Sequence, residues 1–191
     1  MHDVRGAWGS GWTARACTVR AALCMLLLST GLSQAAPTAG GAVIPIPASI
    51  TLASGHYTID ADTPLRIGPG SPDAAAAARY FAGLVKRSRG WSLPVHRGGP
   101  QRSAVRFEHC EGLAAEAYRL EVAPDGVRVC ATTAAGLFYG AVTLWELLPD
   151  GPGAAAVQAQ LIEDQPVYPW RGLMLDSARH FQSPAFIKSM L

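Results

Sequence analysis

The chain has 191 residues, of which 16 are basic and 14 acidic, so its formal net charge is +2. Once residues 1–35 are set aside as a leader, 13 basic and 13 acidic residues remain, and this balance argues against a nucleic-acid partner. The roughly 130 residues from Ala36 to Gln165 are enough to bury a usable core without a metal.

The N-terminus has the features of a secretory signal peptide. A basic start precedes the apolar run Ala21–Leu32, and small residues follow it, so we expect cleavage after Ala35. The run is shorter than the roughly 20 apolar residues of a membrane-spanning helix, and an uncleaved anchor is the alternative. We therefore predict export to the periplasm or the medium, with no membrane contact after cleavage. The long basic leader also allows a start codon downstream of Met1.

The first predicted elements after the leader are strands and a helix. Val43–Asp60 contains two prolines and suits an edge strand, and short strands are predicted near Tyr57–Ile59 and Leu65–Ile67. Ser71 and Pro72 predict the start of a helix by the cap-then-proline rule, and a glycine at position 90 predicts its end. Its apolar stripe is expected to comprise Tyr80, Phe81, Leu84 and Val85.

A hairpin, a second helix and a further strand follow. Residues 116–131 alternate apolar and polar side chains around the turn Pro124-Asp125-Gly126, which predicts a hairpin. Residues 132–148 predict a helix that a threonine can cap and whose Gly136 and Gly140 suit close packing on a sheet. A short strand is predicted over Val157–Ile162. Together these elements predict an α+β fold in which two helices cover one face of a sheet. The stripe of the second helix is Leu137, Ala141, Leu144 and Leu148.

Two cysteines, Cys110 and Cys130, remain after the leader is removed. In an exported chain they can form one disulfide that closes a loop of about 20 residues, although the spacing alone leaves both the bonded and the free state open. We predict no metal site, because adjacent residues in His109–Glu111 would point to opposite faces of a strand. We predict no cofactor either.

The stretch with the most candidate functional side chains, residues 171–180, lies near the C-terminus. Arg171–Asp176 predicts a buried strand, and Ser183-Pro184 predicts the start of a helix. In a β/α barrel, functional residues collect at the C-terminal ends of strands, where Asp176, Ser177, Arg179 and His180 stand. The alternative is structural, with Asp176 pairing with Arg179 or Arg171 to hold the loop.

Residues 164–181, "DQPVYPWRGLMLDSARHF", resemble the start of the catalytic barrel of the glycoside hydrolase family 20 β-N-acetylhexosaminidases. The opening strand "IPIPASITLASGHYTI" and the stretch "AYRLEVAPDGVRVCATTAAGLFYGAVTLWELL" are similar to the smaller N-terminal domain of that family. After the signal peptide predicted over residues 1–35, the resemblance implies an α+β domain (36–165) and the first strand and partial helix of a truncated (β/α)8 barrel (166–191).

The same resemblance implies removal of terminal β-linked N-acetylglucosamine or N-acetylgalactosamine from an oligosaccharide or glycan. In the family the acetamido oxygen of the substrate attacks the anomeric carbon, assisted by an adjacent Asp-Glu pair. The arginine of the Arg-Gly pair, here Arg171, is implied to bind the 3- and 4-hydroxyls of the sugar.

The chain departs from the family in one decisive respect, because no aspartate in it is followed by glutamate. A barrel needs roughly 250 residues, and the chain ends at Leu191, within the first predicted barrel helix. We therefore expect no catalytic residue in this chain and no activity from it alone. The alternatives are a stand-alone, non-catalytic α+β module and a sugar-binding module. The latter has little support, because Trp91, Trp145 and Trp170 form no spaced platform.

Overall fold

The computed structural model describes residues 43–100 and 102–190, and the predicted signal peptide of residues 1–35 lies outside this part of the chain. The strands in this part are β1 (Ser49–Ile59), β2 (Leu65–Ile67), β3 (Val95–Arg97), β4 (Val105–His109), β5 (Tyr118–Ala123), β6 (Gly126–Ala131) and β7 (Ala155–Asp164). The helices are α1 (Pro72–Arg89), α2 (Ala134–Glu146) and α3 (Pro184–Met190). None of these helices has both the length and the apolar composition that crossing a membrane requires.

The strands form one mixed sheet in the order β1-β7-β5-β6-β4-β2-β3. The pairs β2/β3, β2/β4 and β4/β6 are parallel, whereas β5/β6, β5/β7 and β1/β7 are antiparallel. β1 lies at an edge, as predicted. The prediction of a separate short strand near Tyr57–Ile59 is wrong, because the single strand β1 continues through that region with a bulge between Leu52 and His56. The hairpin β5–β6 is confirmed, and Ala123 pairs with Gly126 across the two-residue turn.

The ends of α1 are those that its sequence predicted. The Ser71 hydroxyl accepts a hydrogen bond from the Ala74 amide at 3.1 Å, and Gly90 ends the helix with a φ of 77°. The buried stripe differs from the expected one, because small side chains allow the helix to lie close to the sheet while Tyr80 turns outward onto Phe138, 4.7 Å between ring centroids. The buried residues of α1 are Ala74, Ala75, Ala77, Ala78, Phe81 and Val85.

α2 approaches the sheet through its two glycines. A Cβ atom on Gly136 would lie 2.2 Å from the Ala117 carbonyl oxygen, and one on Gly140 would lie 2.6 Å from Cγ1 of Val129. Any side chain at either position would therefore push the helix off the sheet. The predicted stripe of Leu137, Ala141, Leu144 and Leu148 is buried. The predicted threonine cap is not formed, because the Thr133 hydroxyl donates instead to the Ala115 carbonyl.

α1 and α2 pack against each other and cover the same face of the sheet. The Phe81 ring of α1 meets the Phe107 ring of β4 at 6.0 Å between centroids, which shows the face that the core occupies. The opposite, outer face carries charged side chains from the central strands, including Arg66, Arg106 and Arg128. The buried apolar residues run from Val43 to Ile162, so the core belongs to the α+β part of the chain.

The buried strand predicted over residues 171–176 is not formed. Met174 is 93% exposed and Leu173 58% exposed, and within the described residues this segment pairs with no strand of the sheet. A strand needs a neighbour to satisfy its backbone groups, so an apolar sequence alone does not produce one. The helix predicted from Ser183-Pro184 is present as α3, and the Ser183 hydroxyl accepts from the Phe186 amide at 3.2 Å.

Candidate functional site

Arg171 is held against the α+β part of the chain by Glu116 and Tyr139. Its Nη2 donates to Oε1 of Glu116 at 2.7 Å and its Nη1 to Oε2 at 3.2 Å, a two-point pairing of guanidinium and carboxylate. Nη2 also donates to the Tyr139 hydroxyl at 3.0 Å, and Nη1 to the Tyr168 carbonyl at 2.6 Å. The cluster of Glu116, Tyr139 and Arg171, called here the Arg171 clamp, therefore engages three N–H donors of the guanidinium, and the Tyr168 carbonyl accepts from a fourth of the five.

The two partners of Arg171 reach it from different elements. Tyr139 lies on α2 directly before Gly140, so the close approach of that helix to the sheet also sets the position of its ring. The Tyr139 hydroxyl donates to Oε1 of Glu116 at 3.2 Å, and the Arg171 guanidinium lies 5.9 Å from the centre of the Tyr139 ring. The tyrosine thus joins both charged groups.

Glu116 stands at the end of the loop between β4 and β5, and this loop is fastened at several points. A disulfide joins Cys110 at its start to Cys130 on β6, with 5.7 Å between the Cα atoms. The Thr132 hydroxyl donates to the Leu113 carbonyl at 2.9 Å, and Thr133 donates to the Ala115 carbonyl. These contacts restrict the position from which the Glu116 carboxylate approaches Arg171.

The electrostatics of the clamp favour the charged form of both groups. Hydrogen bonding from Arg171 lowers the pKa of the Glu116 carboxyl below its ordinary value. Hydrogen bonding to Glu116 in turn raises the pKa of Arg171. Both side chains stay partly exposed, at 40% for Arg171 and 37% for Glu116, so water weakens their attraction. The clamp therefore orients Arg171 more than it stabilises the fold.

Asp176 and Arg179 form a separate, local arrangement. One carboxylate oxygen of Asp176 accepts from the amides of Ala178 and Arg179, both at 3.1 Å, and the other contacts Nε of Arg179. The backbone hydrogen bond from Arg179, followed by the side-chain one, lowers the pKa of the Asp176 carboxyl. Asp176 therefore holds its own loop by pairing with Arg179, which is the structural role that the sequence analysis gave as the alternative to a functional one. His180 is exposed, and in the described part of the chain no hydrogen bond ties it to Arg171.

Asp164, at the end of β7, is held by hydrogen bonds shortly before the segment that carries Arg171. Its Oδ1 accepts from the Ala48 amide at 3.0 Å, and its Oδ2 accepts from the Tyr118 hydroxyl at 3.3 Å. Tyr118 also lies 2.7 Å from the Thr143 hydroxyl, and burial raises the pKa of the tyrosine. Asp164 therefore links the start of β1 and β5 to the segment that carries Arg171.

The sequence singled out Arg171 but not its partners. Tyr139 stands in the Gly-x-x-Tyr-Gly stretch on which the family resemblance rests, whereas nothing local marks Glu116 among the acidic residues. In the structure Arg171 does not contact the pair of Asp176 and Arg179. Its carboxylate partner is Glu116, whereas the sequence analysis considered Asp176 for that role. Within residues 43–100 and 102–190, no group of three His, Cys, Asp or Glu side chains is arranged to hold a metal ion.

Comparison with known families matches two parts of the chain. The family model described as "Glycosyl hydrolase family 20, domain 2" matches residues 41–165, and that described as "Glycosyl hydrolase family 20, catalytic domain" matches residues 168–191. Arg171 lies in the second match, whereas both of its clamp partners lie in the first.

Individual relatives agree with these matches. A β-N-acetylhexosaminidase of Cellulomonas fimi is 34% identical over 154 residues, which are 78% of this chain and 31% of that protein. The solved β-N-acetylhexosaminidase of Streptomyces coelicolor A3(2) is similar with a TM-score of 0.69 at 37% identity, over 82% of this chain and 33% of that one. A variant of the Streptomyces plicatus β-hexosaminidase, solved with its product GlcNAc, has a TM-score of 0.67 at 38% identity, over 78% of this chain and 31% of that one. The chain thus spans about a third of the length of these relatives.

Proposed function

We propose, from the premise that this chain belongs to glycosyl hydrolase family 20, that it is the N-terminal part of an exported β-N-acetylhexosaminidase. The substrate class is an oligosaccharide or glycan that ends in β-linked N-acetylglucosamine or N-acetylgalactosamine. The observation that carries the proposal is the pair of adjoining family matches, which together run almost without a gap from residue 41 to residue 191.

In this proposal Arg171 binds the sugar through two vicinal hydroxyls. A planar guanidinium offers paired N–H donors whose spacing suits two neighbouring oxygen acceptors. Four of the five donors of Arg171 are already engaged in the clamp and with Tyr168, which leaves one for a ligand. Sugar binding therefore requires that at least one of these bonds be exchanged for a hydroxyl. The bonds to the Tyr168 carbonyl and to the Tyr139 hydroxyl are the two whose exchange leaves the Glu116 pairing intact.

The proposed chemistry is substrate-assisted hydrolysis with retention of configuration. The acetamido oxygen of the substrate attacks the anomeric carbon, while one carboxyl group orients the acetamide and another protonates the leaving oxygen. No Asp-Glu pair is present among the 191 residues, so these two groups must come from outside this chain. We propose that residues 166–191 are the start of the barrel that supplies them, and that the 191-residue chain alone is inactive.

An enzyme assay tests this proposal. The purified 191-residue chain is expected to leave an aryl N-acetyl-β-glucosaminide intact, whereas a protein extended by the coding sequence downstream of Leu191 is expected to release the aryl group. Turnover by the 191-residue chain itself would contradict the assignment of the catalytic pair to a later segment. An extended protein that folds but has no activity on either the glucosaminide or the galactosaminide would contradict the proposed function.

A stand-alone, non-catalytic α+β module is the second candidate. One observation favours it, because every buried apolar residue of the described chain lies between Val43 and Ile162. The α+β part therefore does not need residues 166–190 to close its core. Sequencing the DNA downstream of Leu191 distinguishes the two candidates: the module predicts no coding sequence for a barrel there, whereas the enzyme predicts one.

A further inference from the structure

The outer face of the sheet carries a row of basic side chains. Arg66 on β2 is in register with Arg106 on β4, which is in register with Arg128 on β6, and both pairings are between parallel strands. His96 on β3 continues the row beyond Arg66. The neighbours Leu65 and Ile67 are buried on the helix-covered side, so Arg66 points to the opposite one. Four basic groups thus stand side by side on adjacent strands.

The row is only partly compensated by acidic groups. Nε of Arg128 contacts the carboxylate of Glu108, and Glu121 is in register with Arg128 on the next strand. Within the described residues Arg66 and Arg106 take part in no ion pair, although Arg66 donates to the Gly98 carbonyl at 3.2 Å. The buried Nε atoms of both arginines have no acceptor in this part of the chain. The positive charges of Arg66 and Arg106 on neighbouring strands repel each other. A negative group bound from outside would relieve this repulsion.

A cavity lies beside the two uncompensated arginines. Its volume is about 220 Å³, several times the volume of one water molecule. Gly99 lies so close to Arg66 that a Cβ atom there would be 2.5 Å from Nη1, so only glycine allows the guanidinium to take this position. The Glu108 carboxylate also faces the cavity, but Arg128 compensates its charge. The polar and glycine residues of the lining are Arg66, Gly68, Gly98, Gly99, Arg106 and Glu108.

We propose that this cavity binds a tetrahedral oxyanion, either free sulfate or phosphate or the sulfate ester of a glycan, between Arg66 and Arg106. Adjacent strands are about 4.8 Å apart, so two arginines in register can both donate to one such group. The oxyanion supplies the negative charge that neither arginine receives from an ion pair within the described residues. The site lies on the outer face of the sheet, away from Arg171, and does not depend on the glycosidase proposal.

Titration of the 191-residue chain with sodium sulfate tests the site, with sodium chloride at equal ionic strength as the reference. The arginine side-chain signals in the NMR spectrum are expected to shift saturably with sulfate and not with chloride. Arg106→Gln and, separately, Arg66→Gln are expected to weaken sulfate binding by at least about tenfold, because each removes charged donors. Arg79→Gln, at an exposed position of α1 on the other side of the sheet, is the matched control and should bind sulfate normally.

The source of the oxyanion is distinguished by N-acetylglucosamine 6-sulfate and its unsulfated form. Tighter binding of the sulfated sugar than of inorganic sulfate assigns the site to glycan esters, and equal binding assigns it to the free anion. A response to sulfate no larger than that to chloride overturns the proposal. It is also overturned if both arginine variants have native circular dichroism and bind sulfate as tightly as the parent chain.

Discussion

The carboxylate of Glu116 and the guanidinium of Arg171 meet through two hydrogen bonds, at 2.7 and 3.2 Å, although 55 residues separate them in the chain. The pair joins a loop of the α+β part to the segment that matches the family's catalytic domain. Tyr139 contacts both groups and completes the clamp. The arginine that we propose to bind the sugar is therefore oriented by residues that belong to the other family match.

Loss of the clamp should expose the backbone after Arg171 to trypsin. In Glu116→Gln the carboxylate that holds the guanidinium is replaced by a neutral amide, so cleavage between Arg171 and Gly172 is expected to become several-fold faster. Mass spectrometry of the early fragments measures this rate. Cleavage after Arg179, which is exposed and lies outside the clamp, serves as the internal reference. Glu111→Gln, an exposed acid of the same loop, should cleave like the parent chain, and equal rates in all three would refute the clamp.

The clamp should also resist mild acid. The pKa of Glu116 is lowered in the folded chain. The stabilisation that the ionised Glu116 gives to the folded state is therefore complete above the ordinary glutamate pKa, and it is lost only as the pH falls through the lowered pKa of the folded chain. A titration of the Glu116 carboxyl carbon by NMR should therefore show a midpoint below that of an unpaired glutamate. In Arg171→Gln the midpoint should return upward. An unchanged midpoint in that variant would show that another group causes the shift.

Gly136→Ala should destabilise the fold. The added methyl group would meet the Ala117 carbonyl oxygen at 2.2 Å and Cβ of Ala131 at 2.7 Å, and neither can move without shifting the sheet. Overpacking of this kind costs about 1–3 kcal/mol of unfolding free energy, more than alanine gains as a helix former. Urea unfolding measures the change.

The matched control for that substitution is Gly83→Ala in α1. There the new Cβ atom would meet only Nη1 of Arg87, at 3.4 Å, which is the mobile end of a long side chain. Helix propensity then decides the outcome, and the variant should gain up to about 1 kcal/mol. If Gly136→Ala were as stable as Gly83→Ala, the close approach of α2 to the sheet would be disproved.

Removal of the disulfide should weaken the fold by about 3 kcal/mol. Cys110 and Cys130 close a loop of 20 residues, and in the chain-entropy model the bond acts by restricting the unfolded chain. The double variant Cys110→Ala/Cys130→Ala is expected to unfold at lower urea concentration and to be insensitive to reducing agent. The reduced parent chain should match it. A parent chain whose unfolding ignores reductant would show that the bond contributes nothing.

In the extended, active protein of the proposed function, Arg171→Lys should impair catalysis without unfolding the protein. A lysine keeps the charge but lacks the planar fork that two hydroxyls require, so kcat/KM is expected to fall by at least about tenfold. Arg79→Lys, on the exposed side of α1, is the control and should keep the parent kinetics. Unchanged kinetics in Arg171→Lys would remove the sugar-binding role from this residue.

Local sequence determined the elements whose signals are themselves local. Ser71, Pro72 and Gly90 set the ends of α1, because capping depends on a few residues at each end of a helix. Pro124 and Asp125 set the hairpin, because the turn and the alternation beside it are adjacent in the chain.

Tertiary structure alone decided the relationships between distant residues. Residues 171–176 are apolar enough for a strand, yet a strand forms only beside a partner, and in the described chain it has none. Arg171 pairs with Glu116 rather than with Asp176, because the loop that carries Glu116 and the helix α2 that carries Tyr139 both contact the arginine side chain. The basic row of the outer face likewise arises from strand register, since Arg66, Arg106 and Arg128 are far apart in the sequence and neighbours only across the sheet.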